Sequence, residues 1–256
     1  MAIRIGKIKY QDENGNFVAN GIHPSFENYE PIVVMTKSSK YANLSPYCLK
    51  DEYGRLMEQI YQFSKINKHV PVVKEYYSRW DNRVIWEWPA EEHIKDDHIQ
   101  ASYWRWRSAG LMNKEAVRYP TGKNFYKKNR WFGIISEIPS LDLTIPQHIS
   151  QFKILNWIEG RKQVYIPNYS KLVKLQKQFL ELQEKLANGI NLLIIEVDGP
   201  HMESLEYYKQ TYGVEQDFIQ KDTMLANPIN LDIMLNDEKH SFGHGYCLAG
   251  CLLGIY

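Results

Sequence analysis

The chain has 256 residues, 44% hydrophobic and 24% charged, and a net charge of +1. That is a globular composition, long enough for one elaborated domain or two small ones, and it excludes disorder over most of the length. No apolar run reaches the roughly 18 residues that cross a bilayer, and three cysteines (Cys48, Cys247, Cys251) are too few for a disulfide framework.

The opening "MAIRIGKIKYQDENG" lacks the apolar core of a secretion signal, so the expected compartment is the cytoplasm, or a host cell's cytoplasm for a viral protein. "AIRIGKIKY" and "PIVVMTK" read as strands separated by the turn-rich "DENGN". "YANLSPYCLKDEYGRL" reads as extended chain with a turn near Tyr53 and Gly54. The next stretch, "LMEQIYQFSKINK", predicts a helix over Leu56 to Lys68. Leu56, Ile60 and Phe63 fall on one face of it, enough to pack on a core, while Glu58, Gln62 and Lys65 line the other. That polar line is either a solvated surface or a working face.

Residues 70 to 131 are irregular and aromatic, and five of the seven tryptophans (Trp80, Trp86, Trp88, Trp104, Trp106) fall within 27 residues of it, which marks an ordered insertion that buries much of its Trp. From Ala101 to Trp131 eight basic residues face one acid, Glu115. "PSLDLTIPQHISQF" is a connector. From Ser170 to Asn188, Leu172, Leu175, Phe179, Leu182 and Leu186 recur at helical spacing, with Ser170 as N-cap and Gly189 at the end. "NLLIIEVDG" reads as a strand buried on both faces and "HMESLEYYKQTYGV" as a helix. The fold class is α+β, without repeats.

Four groups of residues could carry chemistry. His240, His244, Cys247 and Cys251 include zinc-ligand types, but their spacing is no recognised finger and both cysteines sit in an apolar segment; we assign no metal and no cofactor. "SFGHGY" reads as a glycine turn opening a helix, where Gly243 and Gly245 let backbone N–H groups approach an anion, or else as a tight loop before a buried helix. The basic stretch, with Arg105, Arg107, Lys127 and Lys128 among aromatics, reads either as a surface that holds phosphates and stacks on bases or as a solvated edge with its Trp residues turned inward. "EVDGPHMES" gathers Glu196, Asp198 and Glu203 near a strand end.

Several blocks, taken in order, resemble the NADAR superfamily of N-glycosidases. "ANLSPY" supplies Asn43, "DEYGRL" supplies Gly54, and "EQIYQFSK" supplies Glu58, Tyr61, Gln62 and Lys65 at the family's spacing. "EAVRYPTG" gives Arg118, "NWIEGRKQV" gives Trp157, and "NDEKHSFGHGYCLAGCLL" resembles the closing acidic, glycine-rich loop and helix, with Tyr246 where the family commonly has Asn. The likeness covers about 110 residues in pieces. It implies a single NADAR-like domain over 1–256, mostly helical with a small sheet, carrying insertions at about 70–131 and about 198–235.

The resemblance also implies a reaction. Lys65 would attack C1′ of a ribose and form an imine, with Glu58 as acid and base or as its orienting partner, and Asp237 as a second carboxylate on the ribose hydroxyls. Asn43, Gln62 and Arg118 would hold base or phosphate, Tyr61 or Trp157 would stack, and the turn of Gly243, His244, Gly245 and Tyr246 would cradle a phosphate. A lysine can act so only when neutral, which requires a pKa well below the ordinary value of about 10.4. The expected partner is a nucleic acid carrying ADP-ribose on a base, bound through Arg105, Arg107, Lys127 and Lys128. The alternatives are a ribosylamino-pyrimidine or other nucleotide as substrate, and an inert binding module for ADP-ribose or nucleic acid.

Overall fold

The computed structural model describes residues 1–35, 40–78, 81–128 and 131–256, with the side chains of 20, 76–78, 81–85 and 126–128 left aside. It is α+β. Among the described residues no helix is long and apolar enough to cross a membrane. The chain gathers into two compact units, Met1–Leu49 with Ile166–Tyr256, and Lys50–Tyr165. The expected insertion at about 70–131 lies wholly within the Lys50–Tyr165 unit.

The first unit is built on a four-stranded sheet. Strand Asn191–Glu196 lies between Ile3–Lys7 and Tyr29–Val33, parallel to both, and Thr223–Leu225 closes the far edge antiparallel to Ile3–Lys7. Leu192 to Ile195 are all buried, as the continuous apolar run of "NLLIIE" requires of a central parallel strand. Thr223–Leu225 lies within the second expected insertion, so that segment supplies a strand of the sheet and is not an appendage. The protein is also less helical than the resemblance implied: six small sheets occur among the described residues.

The helix expected over Ser170 to Asn188 is two helices, Ile166–Val173 and Lys177–Ala187. The break lets the second half pack on the central strand as well as on the C-terminal helix His244–Leu252, the partner of the first half. Phe179 and Leu182 are buried, while Leu175, which falls in the break, is exposed. Ser170 is therefore no cap: it lies inside the first helix, its hydroxyl 3.1 Å from the Cys251 thiol. Gly189 does end the second helix, at φ +84°.

In the second unit the helix expected through Lys68 stops at Gln62, spanning Met57–Gln62. The Ser64 hydroxyl donates to the Tyr61 carbonyl at 2.7 Å, and Lys65–Ile66 then runs as an edge strand, Lys65 opposite Ile134 and Ile66 opposite Gly133. Pairing with Gly133–Ile135 satisfies backbone groups and buries Phe63 and Ile66, and this tertiary gain outweighs the local preference for helix.

The core of this unit is aromatic. Phe63 packs with ring centroids 4.9 Å from Trp86 and 4.6 Å from Trp106, and Trp86 stacks on Trp88 at 5.1 Å. Trp106 sits on helix Ala101–Leu111, which must approach Phe63 closely, and Gly110 is where it does so: a Cβ there would lie 2.0 Å from the ring. Gly110→Ala should therefore destabilise the protein by about 1 to 3 kcal/mol through overpacking, against the roughly 1 kcal/mol that Gly to Ala gains in an open helix. Urea unfolding of the two proteins measures the sign directly.

Candidate active site

Glu58 and Gln62 lie one helical turn apart on Met57–Gln62, and the short strand brings Lys65 back beside them. The Lys65 ammonium Nζ donates to Gln62 Oε1 at 2.8 Å, and Gln62 Nε2 donates to Glu58 Oε1 at 2.8 Å. All three are buried, at 7%, 8% and 3% exposure for Glu58, Gln62 and Lys65. A solvated surface stripe is excluded by those numbers.

Aromatic rings enclose the amine. Lys65 Nζ stands 4.5 Å from the Tyr61 ring centroid and 6.0 Å from that of Trp157. Tyr61 packs on Tyr165 at 4.8 Å. On the π-helical turn Arg161–Tyr165, the buried guanidinium of Arg161 lies 4.9 Å over the Trp157 ring. Arg161 had no role in the sequence reading, although it stands inside the quoted "NWIEGRKQV" block; its signal was a basic residue four after an aromatic, one turn along a helix.

Burial sets the electrostatics of this group. Desolvation pushes the Lys65 amine down to about 8 against the opposing charge of Glu58. At pH 7 about a tenth of such an amine is neutral, against well under roughly a thousandth for an ordinary lysine. The arrangement is a buried amine of lowered pKa held in one orientation by an amide that is itself held by a carboxyl group.

Comparison with protein-family models, curated proteins and solved structures finds no match.

The remaining expected residues divide between the two units. Arg118 is exposed on the second unit, its guanidinium 5.3 Å from the Tyr119 ring and close enough to Glu75 to act on its carboxyl. Asn43 is exposed on the short helical turn Ala42–Leu44 of the first unit. Asp237, also in the first unit, is fully buried. One of its oxygens accepts from the Tyr207 hydroxyl at 2.8 Å, the other from the Tyr208 hydroxyl at 2.7 Å and His240 Nδ1 at 2.6 Å. Those oxygens are committed to the protein's own donors, which corrects the expectation that Asp237 meets ribose hydroxyls.

The glycine turn opens the helix His244–Leu252, as read, with Gly243 at its N-cap. What it admits is a side chain of the protein. A Cβ on Gly243 or Gly245 would lie 2.3 or 2.8 Å from the Glu196 carboxyl, toward which the Gly245 and Tyr246 N–H groups point. Glu196 thus fills the place expected for a phosphate, and Tyr246 is buried. Burial and the charge of Asp198 push the Glu196 carboxyl up to about 8. His244 Nε2 donates to the Val34 carbonyl at 2.8 Å, and its Nδ1 stands 3.2 Å from Glu196 Oε2.

The basic aromatic surface is also largely withdrawn. Trp86, Trp104 and Trp106 are buried, and Arg107 donates to the Phe63 carbonyl at 2.6 Å. Arg105 remains exposed, with Glu91 3.6 Å away. The side chains of Lys127 and Lys128, and Trp80 as a whole, lie outside the described residues.

The lowered pKa of Lys65 has a consequence for stability. Between about 8 and 10.5 the unfolded chain binds more protons at this residue than the folded one, so stability rises with pH across that window and is lower below it. A wild-type protein should gain about 3 kcal/mol relative to Lys65→Met as pH rises through the window, at 1.36 kcal/mol per unit. Urea unfolding of both proteins from pH 7 to 10 checks it, and parallel curves would refute it.

Proposed function

We propose that the chain is an N-glycosidase that cleaves the bond between a ribose and a nucleobase through an imine on Lys65. The observation that carries this reading is the buried Lys65 amine, brought to about 8 by desolvation and aimed by Gln62. The neutral amine attacks C1′, the bond from C1′ to the base nitrogen breaks, and the base leaves with a proton. Ring opening gives an imine between Lys65 and the sugar, and water hydrolyses it to release the ribose and restore the amine.

Glu58 reaches the amine through Gln62, and an amide is a poor proton relay. Its role here is to hold Gln62 in the orientation in which Oε1 faces the amine, and to raise the Lys65 pKa by its charge. Tyr61 and Trp157 supply apolar walls that exclude water from the amine.

The substrate we favour is a nucleobase carrying ADP-ribose in nucleic acid, with Arg105 among the exposed cations. A free ribosylated nucleotide is the second reading, favoured by the inward turn of Trp104 and Trp106 and by the commitment of Arg107 to the Phe63 carbonyl, which reduce the surface left for a nucleic acid strand.

Incubation with guanine-ADP-ribosylated DNA, thymine-ADP-ribosylated DNA and free ribosylated nucleotides, with borohydride present, tests both readings. The expected result is base release from one substrate, with a reduced sugar adduct on the peptide carrying Lys65, and neither in Lys65→Ala. Turnover without an adduct would discard the imine, and no turnover on any substrate would favour the binding module. The rate should rise with pH through about 8 as Lys65 loses its proton. In Glu58→Gln that rise should move to lower pH, because the charge that opposes deprotonation is gone.

A further inference from the structure

The first unit holds a second constellation. Ser204 ends the turn Met202–Ser204 and begins the helix Leu205–Tyr212. Its hydroxyl lies 3.2 Å from His240 Nε2, and His240 Nδ1 lies 2.6 Å from Asp237 Oδ2. A second imidazole, His201, approaches the same hydroxyl through Nε2 at 2.9 Å.

The proton positions follow from these partners. Burial raises the Asp237 pKa, but hydrogen bonds from Tyr208, the Lys239 backbone, Tyr207 and His240 outweigh it and hold the carboxyl below the usual range. As an ionised acceptor, Asp237 takes the Nδ1 proton of His240, which leaves Nε2 to accept from the Ser204 hydroxyl. His201, whose pKa is lowered by burial and by Lys7, is a neutral ring that donates its Nε2 proton to the same oxygen. The bonds from Ser204 to His240 and from His240 to Asp237 run in the direction that makes Ser204 Oγ more nucleophilic, while the bond from His201 occupies a lone pair of that oxygen and fixes its orientation.

The constellation faces space. Ser204, His201 and His240 line a cavity of about 200 Å³ together with Lys7, Tyr208 and Lys239. Both imidazoles are partly exposed, at 27% and 24% of their side chains, where a network serving only stability would be sealed. Lys7 and Lys239 bring positive charge into the same cavity, and Asp198 brings one negative charge.

We propose that Ser204 is the nucleophile of a second, hydrolytic site that takes short-chain acyl esters, with His240 as its base and Asp237 as the residue that positions His240. Ser204 Oγ bonds to the acyl carbon as its proton passes to His240 Nε2, and the bond to the leaving oxygen breaks as that oxygen takes the proton. Water then adds to the acyl carbon, giving a proton to His240. The bond to Oγ breaks, the acid departs, and the proton returns to Ser204. The cavity is smaller than those of drug-sized ligands, which limits the acyl group to a few carbons.

The full chain, treated with a fluorophosphonate probe and digested for mass spectrometry, gives the direct test. One label per chain, located on Ser204, is expected, with p-nitrophenyl acetate hydrolysed in a burst of similar stoichiometry. His240→Gln should slow labelling at least about 100-fold, in the range general-base removal usually gives, and His201→Gln less than about 10-fold. Circular dichroism confirms that each variant is folded. No label on Ser204 of the folded wild-type protein would overturn the proposal, as would undiminished labelling in folded His240→Gln. A reversal of the two histidine effects would overturn the assignment of the base.

Discussion

An ammonium group kept from water is the constraint around which the Lys50–Tyr165 unit is arranged. Lys65 can be buried only if its neighbours accept a donor and exclude solvent, and the chain meets both needs locally. The helix ends at Gln62 so that the next residues turn back. Gln62 then lies within 2.8 Å of the amine while Phe63 and Ile66 enter the core. Had the helix continued, Lys65 would have stayed on the Glu58 and Gln62 face without an antiparallel partner. Pairing with Gly133–Ile135 fixes the backbone of Lys65, and that is what gives the amine one place to stand.

The first unit answers a comparable problem with a carboxyl group. Strand Asn191–Glu196 is buried on both faces and ends in Glu196, so the acid arrives at the core boundary with no route to solvent. The two glycines of "FGHG" resolve this by giving up side chains, so that the start of the last helix closes on the carboxyl. Backbone N–H groups at that start offset part of the burial, but desolvation and Asp198 still win, and the acid stays protonated near neutrality. His244 completes the arrangement, with Nδ1 3.2 Å from the acid on one side and Nε2 bonded to the Val34 carbonyl on the other.

Periodicity made the buried strand "NLLIIE", the N-terminal strand and the Leu205–Tyr212 helix legible, because a run of apolar residues or a repeat of three and four reports burial directly. The ends of elements were less so. Neither the stop at Gln62 nor the break at Leu175 carries a proline or glycine, and both are imposed by partners distant in sequence. Glu58, Gln62 and Lys65 were legible as a group but not as buried, since a helical wheel assigns faces without saying what covers them. The links from Asp237 to His240 and on to Ser204 had no such signature: the first two are three residues apart, but Ser204 lies 36 residues before His240 and meets it only through the fold.

The two polar constellations are tuned in opposite directions by the same variable. Burial opposes charge at both Lys65 and Asp237, yet only Lys65 yields to it. Asp237 accepts from two tyrosines, an imidazole and a backbone N–H, all aimed at its charged form, and so remains ionised in a place closed to water. Lys65 faces a neutral amide oxygen and aromatic rings, which solvate an ammonium less well than water does, and Glu58 acts on it from behind Gln62. A carboxylate held ionised is suited to orient a neighbouring base, and an amine brought near neutrality is suited to attack. Which task a buried ionisable group can perform is thus decided by whether its hydrogen bonds match its charged form.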